Sequence, residues 1–259
     1  MQKEGSVSFG ALRRFNGIMA VLHFVQGLLM LFLSSYGNKW PITTTHLELD
    51  TATQSLQPIT QTWISVDFAY LVALFLFMSA AAHLLISTLL FKRYVHHLER
   101  HMNPYRWYEY ALSASVMIVV IAELMGIYDA GTLVALFALT AVMNLMGLMM
   151  ELHNQTTPKT DWTAYIIGCI AGVVPWIVIA IYFGGSIIAA EGGMPNFVIG
   201  IFVSLAVLFN LFAINMLFQY KKVGKWKEYL YGERVYILLS LIAKSALAWQ
   251  VFFGTLRPL

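Results

Sequence analysis

Lys244 is the tenth residue of the apolar run Val235–Leu256, VYILLSLIAKSALAWQVFFGTL, and has apolar and small neighbours on both sides. The run matches the ~20 residues an α-helix needs to cross a bilayer core. An ammonium group at that depth costs at least ~2.5–3.5 kcal/mol. It lies roughly 15 Å along the helix from the start of the run, too deep for easy snorkelling. Two chemistries answer this cost. The lysine can pair with a carboxylate and fix helix packing. Alternatively, burial disfavours the charged form and leaves a neutral amine able to form a Schiff base with a carbonyl. Either role calls for a buried carboxylate, and Glu109 in WYEYALSASVMIVVIAEL is the strongest candidate.

Other polar groups sit in apolar runs at helical spacing. Ser113 follows Glu109 by one turn, and Ser240 precedes Lys244 by one turn. Ser79 and His83 are spaced i, i+4 in one run, and His23 and Gln26 are spaced i, i+3 in another. A lone histidine in an apolar helix is ordinarily hydrogen-bonded structure; two, each well inside a span, point to a shared polar cavity. A buried cation, a carboxylate and hydroxyls converging in an apolar bundle is the logic of a Schiff-base chromophore site. The carboxylate would hold the proton on the imine nitrogen. No cysteine or carboxylate joins the histidines at metal-ligand spacing, so no metal site is expected. The chain lacks a P-loop, G-x-S-x-G or H-E-x-x-H, and is not expected to be an enzyme.

The elements that must position these groups follow from composition. Of 259 residues 59% are hydrophobic and 11% charged, against about 25% charged in soluble domains. Seven runs can span: Phe15–Tyr36, Trp63–Phe91, Tyr105–Tyr128, Ala130–Leu152, Trp162–Phe183, Met194–Tyr220 and Val235–Leu256. They occupy most of residues 1–259, which predicts a single all-α membrane domain. The first run is long for a signal peptide and is read as a retained helix. If the N-terminus is cytoplasmic, thirteen of the sixteen Lys and Arg lie on the inner side, with only Lys39 and Arg257 outside. That asymmetry predicts a cytoplasmic N-terminus and an extracellular C-terminus in the plasma membrane. The basic loops then face anionic lipid, and the net charge of +3 needs no nucleic-acid partner. Residues 37–62 form the one long loop, on the outer side, where β-branched residues and alternation predict a short strand pair. Pro175 is expected to kink the fifth helix. Gly168 and Gly172 make a small-xxx-small pair for close packing, and Cys169 is expected to serve as a small packing residue. Methionines 143, 146, 149 and 150 soften the fourth helix and suit either gap-filling or a bulky apolar ligand.

Over nearly its whole length the chain resembles the heliorhodopsins, seven-helix retinal proteins with inverted membrane orientation. The resemblance is strongest in RWYEYALSASVMIV (Arg106–Val119), GCIAGVVPWI (Gly168–Ile177) and SLIAKSALAWQVFFGTL (Ser240–Leu256). It implies a rhodopsin-like bundle in which Lys244 carries all-trans retinal as a protonated Schiff base and Glu109 is its counterion. It also implies that Ser113 and Ser240 hydrogen-bond near that pair. His23 and His83 would share a water-filled cavity, with Ser79 between them and the Schiff base. Trp176 and Met143 would wall the retinal pocket. The outer loop would form a small sheet and contribute to a homodimer. Where Thr140 stands the family pattern has Asn, and that position is left unassigned.

The functional fork is between pumping and sensing. Proton pumps generally place a second carboxylate about three turns beyond the counterion, but eleven residues after Glu109 stands Val120. Glu123, fourteen residues on, reads as a solvated carboxylate at the outer helix end. The resemblance implies a slow photocycle and signalling without net ion transport. Two other readings remain open: a transporter using the Lys244–Glu109 pair, and an opsin-like regulator of a cytoplasmic partner through the basic inner loops.

Overall fold

The computed structural model describes residues 7–35, 39–189 and 196–257. Tyr36 and Met194, expected edges of the first and sixth spans, lie outside them, as does the start of the outer loop and Lys3. Among the described residues seven helices are long and apolar enough to cross a membrane. They are α1 (Phe9–Leu33), α2 (Phe68–Ser87), α4 (Pro104–Leu124), α5 (Ala130–His153), α6 (Thr163–Ala189), α7 (Asn196–Tyr220) and α8 (Tyr229–Val251). The last continues as a π turn, Phe252–Leu256. The chain is an integral multi-pass membrane protein.

The caps explain several boundaries. Asp67, Asn103 and Asp129 each accept a bond from a backbone N–H of the helix that follows, and Pro104 sits in the first turn of α4. Gly126, at φ +88°, ends the α4 segment in a left-handed turn open to glycine. The basic stretch after α2, read from sequence as an inner loop, forms a short helix, α3 (Phe91–Glu99). Its apolar residues Tyr94 and Leu98 are buried and its charges face out. Burial pushes the Tyr94 hydroxyl up to about 12. The last helix starts six residues before its expected edge, which draws Glu233 and Arg234 out of the predicted loop and into α8.

The long loop between the first two spans forms one antiparallel hairpin, β1 (Lys39–Asp50) and β2 (Ser55–Asp67), paired from Lys39↔Asp67 to Asp50↔Ser55 with a bulge at Ile42/Thr43. Its second strand takes Trp63 and its neighbours, which hydropathy assigns to the second span. Hydropathy reads the apolar alternation of a strand as part of a helix. The base of the hairpin is anchored to the bundle. Thr43 N donates to Tyr128 O at 2.8 Å, and Trp40 stacks on Phe68 with centroids 4.8 Å apart.

Around the bundle α1 packs on α2 and α8, α2 on α4, α4 on α5, α5 on α6, and α7 on α8. Helices α6 and α7 meet through rings: Trp176 lies edge-on to Phe209 at 5.4 Å, and Phe183 stacks on Phe202 at 4.5 Å. Pro175 lies inside α6, which is continuous across it. Gly168 and Gly172 face α5, where an added Cβ would meet Met146 and Met143. Cys169, one residue round the helix, is exposed on the outward face. Its expected packing role is corrected: the glycines hold the close face, and about 100° of rotation turns Cys169 away from it.

The tightest glycine on α5 is Gly147, where a Cβ would overlap the Trp107 ring, itself fixed by a bond from Nε1 to Glu151 at 2.8 Å. Gly147→Ala should therefore destabilise the fold by ~1–3 kcal/mol. Gly17→Ala, where a methyl meets nothing within 4 Å, should be neutral or stabilising by up to ~1 kcal/mol. Thermal unfolding of both variants in the same detergent checks the contrast.

Candidate functional site

Lys244 comes from the middle of α8 and is 2% exposed. Its Nζ donates to Glu109 Oε1 on α4 at 2.8 Å and to Ser240 Oγ at 2.9 Å. Ser240 is one turn earlier on the same helix, so its hydroxyl falls beside the amine. From α2, the Ser79 hydroxyl reaches the same Glu109 oxygen at 2.6 Å, with Phe75 O at 3.1 Å as the competing acceptor. Ser113 is buried one turn from Glu109 and within reach of its carboxylate. Its Oγ makes no hydrogen bond of normal geometry among the described residues. The Tyr110 ring lies 5.1 Å from Nζ and adds a π face to the cation's surroundings.

His23 and His83 stack with centroids 5.6 Å apart and planes 9° from parallel. His83 Nδ1 is 2.7 Å from Asn16 Oδ1, and Asn16 Nδ2 donates to Leu12 O at 2.9 Å. Both ring nitrogens of His23 lack a partner among the described residues. Asn16, two turns before His23, was missed by the sequence reading. Its signal was the i, i+7 step from Asn16 to His23 along one face. Gln26 does not join the histidines. Its Oε1 accepts from Trp249 Nε1 of α8 at 3.2 Å, because the three-residue step rotates it toward that helix.

On the other side of the amine lies a narrow cavity of about 40 Å³. Lys244 and Ser240 meet Tyr110, Met117, Met143, Phe209 and Phe212 there. Trp176 stands behind this wall, packed on Phe209. Asn144 also lines the cavity and donates to Thr140 O at 2.8 Å. A second space, about 30 Å³, runs from Glu109 and His83 to Arg106 and Glu233 and is large enough for a water.

The partners of Arg106 mark what the sequence does not announce. Counted there as an inner-loop cation, Arg106 is buried and forms ion pairs with Glu151 of α5 and Glu233 of α8. Glu151 Oε2 accepts from Asn103 N and Trp107 Nε1, both at 2.8 Å, and Glu233 Oε2 accepts from Asn103 Nδ2 at 2.9 Å. The guanidinium lies 4.0 Å from the Tyr236 ring centre and 4.5 Å from that of Trp107. Tyr110 connects the two sites, since its hydroxyl donates to Tyr236 O at 3.0 Å. The available signal was charge arithmetic: carboxylates at the inner ends of two apolar runs need a cation.

Glu123 requires a correction. Expected as a solvated carboxylate, it is 0% exposed, and neither carboxylate oxygen has a hydrogen-bond partner among the described residues. The chain turns back over it, with Gly126 N donating to Glu123 O at 2.9 Å and the hairpin bonded to Tyr128 beyond. Among the described residues no group of three His, Cys, Asp or Glu could hold a metal ion.

The family model described as Heliorhodopsin matches residues 12–256. No curated protein matches the chain. Among solved structures it is similar to a cyanorhodopsin from the cyanobacterium Tolypothrix sp., with a TM-score of 0.64 at 15% identity. The likeness covers 97% of this chain and 96% of that one. At that identity the shared property is the seven-helix fold.

Two substitutions separate the roles of the buried charges. Arg106→Gln leaves Glu151 and Glu233 facing each other without a cation and should cost ~3–5 kcal/mol. Glu123→Met removes an unpaired polar group from an apolar setting and should stabilise by ~1–3 kcal/mol. Thermal midpoints of the two variants, moving in opposite directions, check both.

Proposed function

The chain belongs to the heliorhodopsin family, and from that premise we propose that it is a light-sensing photoreceptor carrying all-trans retinal on Lys244. The family implies a retinal chromophore. The observation that carries the attachment site is the buried pair of Lys244 Nζ and Glu109 Oε1, 2.8 Å apart beside an aromatic-walled cavity. Retinal, bound to that amine as a protonated Schiff base, supplies visible absorption and a double bond that isomerises in light.

The residues present fit such a group. The amine is held by one carboxylate and one hydroxyl, and the neighbouring walls are apolar or aromatic. A polyene must displace side chains from the narrow cavity, and Met117 and Met143 are unbranched and flexible enough to yield. Gly172 leaves Met143 the room it occupies. Glu109 acts as counterion, keeping a proton at the lysine nitrogen by opposite charge. Ser240 orients that nitrogen, and Ser79 fixes the carboxylate from the other side. The stacked histidines and Asn16 form the polar reservoir next to Glu109.

The residues beyond Glu109 along α4 support signalling without net ion pumping. Val120 carries no proton, and Glu123 sits in apolar core with no bonded partner among the described residues through which a proton could be relayed. The bias of Lys and Arg toward the inner loops supports a cytoplasmic N-terminus. The exposed apolar residues Leu47, Leu49 and Trp63 on the hairpin support a homodimer. The basic inner face supports a cytoplasmic signalling partner.

Expression with all-trans retinal, followed by an absorption spectrum and hydroxylamine bleaching in light, tests the reading. A bleachable visible band is expected. Folded protein with no band would overturn the photoreceptor and make Lys244–Glu109 a transport site. Lys244→Ala should give a folded bundle without pigment, and a surviving band would reject Lys244 as the attachment point. Glu109→Gln should move the band to longer wavelength, because the cation is then less localised at the nitrogen; an unmoved band removes Glu109 as counterion.

A further inference from the structure

Three links converge at the inner end of the bundle: the α3–α4 turn, the α5–α6 loop and the α7–α8 loop. They enclose a concavity of about 400 Å³, within the range of small-molecule sites. We propose that this concavity is a binding pocket for a small phosphate-bearing anion.

Its walls carry Arg100, Lys159, Lys222 and Lys227, with His101 beside them and no aspartate or glutamate among the lining residues. None of the four cations makes an ion pair or side-chain hydrogen bond among the described residues. The nearby Asp161 is engaged by His153 at 3.3 Å and by Thr163 N at 2.8 Å. Four like charges gathered in one concavity repel each other, and a cleft lined by one sign focuses its field on an ion of the other. Lys92 and Arg93 on α3, by contrast, are exposed and take no part in this concavity.

The backbone shapes the rim of the concavity. Two of the three non-glycine residues with positive φ among the described residues, His101 (+56°) and Lys222 (+52°), line this pocket. Both close a helix C-terminus in a left-handed turn, with Met102 N donating to His97 O at 3.1 Å and Val223 N to Phe218 O at 3.0 Å. Each sits just past a helix end and turns its link into the concavity's rim.

Phosphate chemistry fits these walls best. Lysine ammonium groups bind as point charges and reach a tetrahedral anion from several directions, while Arg100 can fork two N–H bonds onto one group. The indole of Trp226 closes one side of the space. The pocket's floor is Tyr229, whose hydroxyl donates to Glu151 Oε1 at 3.2 Å. An occupant therefore touches a residue bonded into the Arg106 cluster. The anion is either a soluble phosphate compound or the headgroup of a phosphorylated lipid. Its binding requires no chromophore on Lys244.

The test is calorimetric titration of the full chain in phosphatidylcholine nanodiscs with inorganic tripolyphosphate at low salt. Saturable one-to-one binding is expected. Lys222→Gln with Lys227→Gln should weaken it by at least about tenfold, the scale of one lost charge-assisted hydrogen bond. Lys92→Gln with Arg93→Gln, on the same face but outside the pocket, should leave it unchanged. Far-UV circular dichroism establishes that both variants are folded. Repeating the titration in nanodiscs that contain phosphatidylinositol bisphosphate separates the sources: suppressed binding identifies a lipid headgroup in the pocket, and unchanged binding a soluble anion. Absence of saturable binding, or equal loss in both double variants, overturns the proposal.

Discussion

A lysine ammonium in the middle of a bilayer needs an opposite charge within hydrogen-bond distance, and the bundle is arranged around meeting that need. Lys244 and Glu109 lie on helices that are neighbours only through the fold, 135 residues apart in sequence. Low dielectric strengthens their attraction and makes either charge alone expensive. Every other group at the centre serves the pair. Ser240 shares the amine, Ser79 shares the carboxylate, and Tyr110 offers its ring. Met117, Met143, Phe209 and Phe212 make the wall of the adjoining cavity mainly apolar.

A second ion cluster lies toward the end of the bundle opposite the hairpin, about one turn before Glu109 on α4 and about three turns before Lys244 on α8. Arg106, Glu151 and Glu233 bring together α4, α5 and α8; neutral donors from Asn103 and Trp107 satisfy the remaining carboxylate oxygens, and Tyr229 adds a bond to the Glu151 oxygen that also meets Arg106. One cation for two carboxylates is tolerable because these donors spread the excess negative charge. Tyr110 and Tyr236 lie between the two clusters, so a displacement at Lys244 has a packed route to the links at the end opposite the hairpin. The hairpin end is built differently. There Thr43 N of the hairpin donates to Tyr128 O of the α4–α5 turn, and Ser35 N at the end of α1 donates to Leu256 O of the last π turn, both at 2.8 Å. Glu123 is enclosed beneath them.

What the amino-acid sequence determined is the membrane class, the seven spans, the hairpin, and the candidacy of Lys244 and Glu109. Each follows from one-dimensional physics: run length against bilayer thickness, alternation against helical period, and the cost of a charge in an apolar run. Spacing along one helix also placed Ser240 beside Lys244 and Ser79 beside His83, since helical geometry is local. Span edges were less legible where a strand and a helix are equally apolar, as at Trp63. Only the tertiary structure decided which helix faces meet. It took Arg106 from an expected loop into a buried cluster, turned Gln26 toward Trp249, left Cys169 facing outward and closed the hairpin end over Glu123. A sequence gives each residue's angle around its own helix, but the rotation of that helix against its neighbours is set by the packing of the whole bundle.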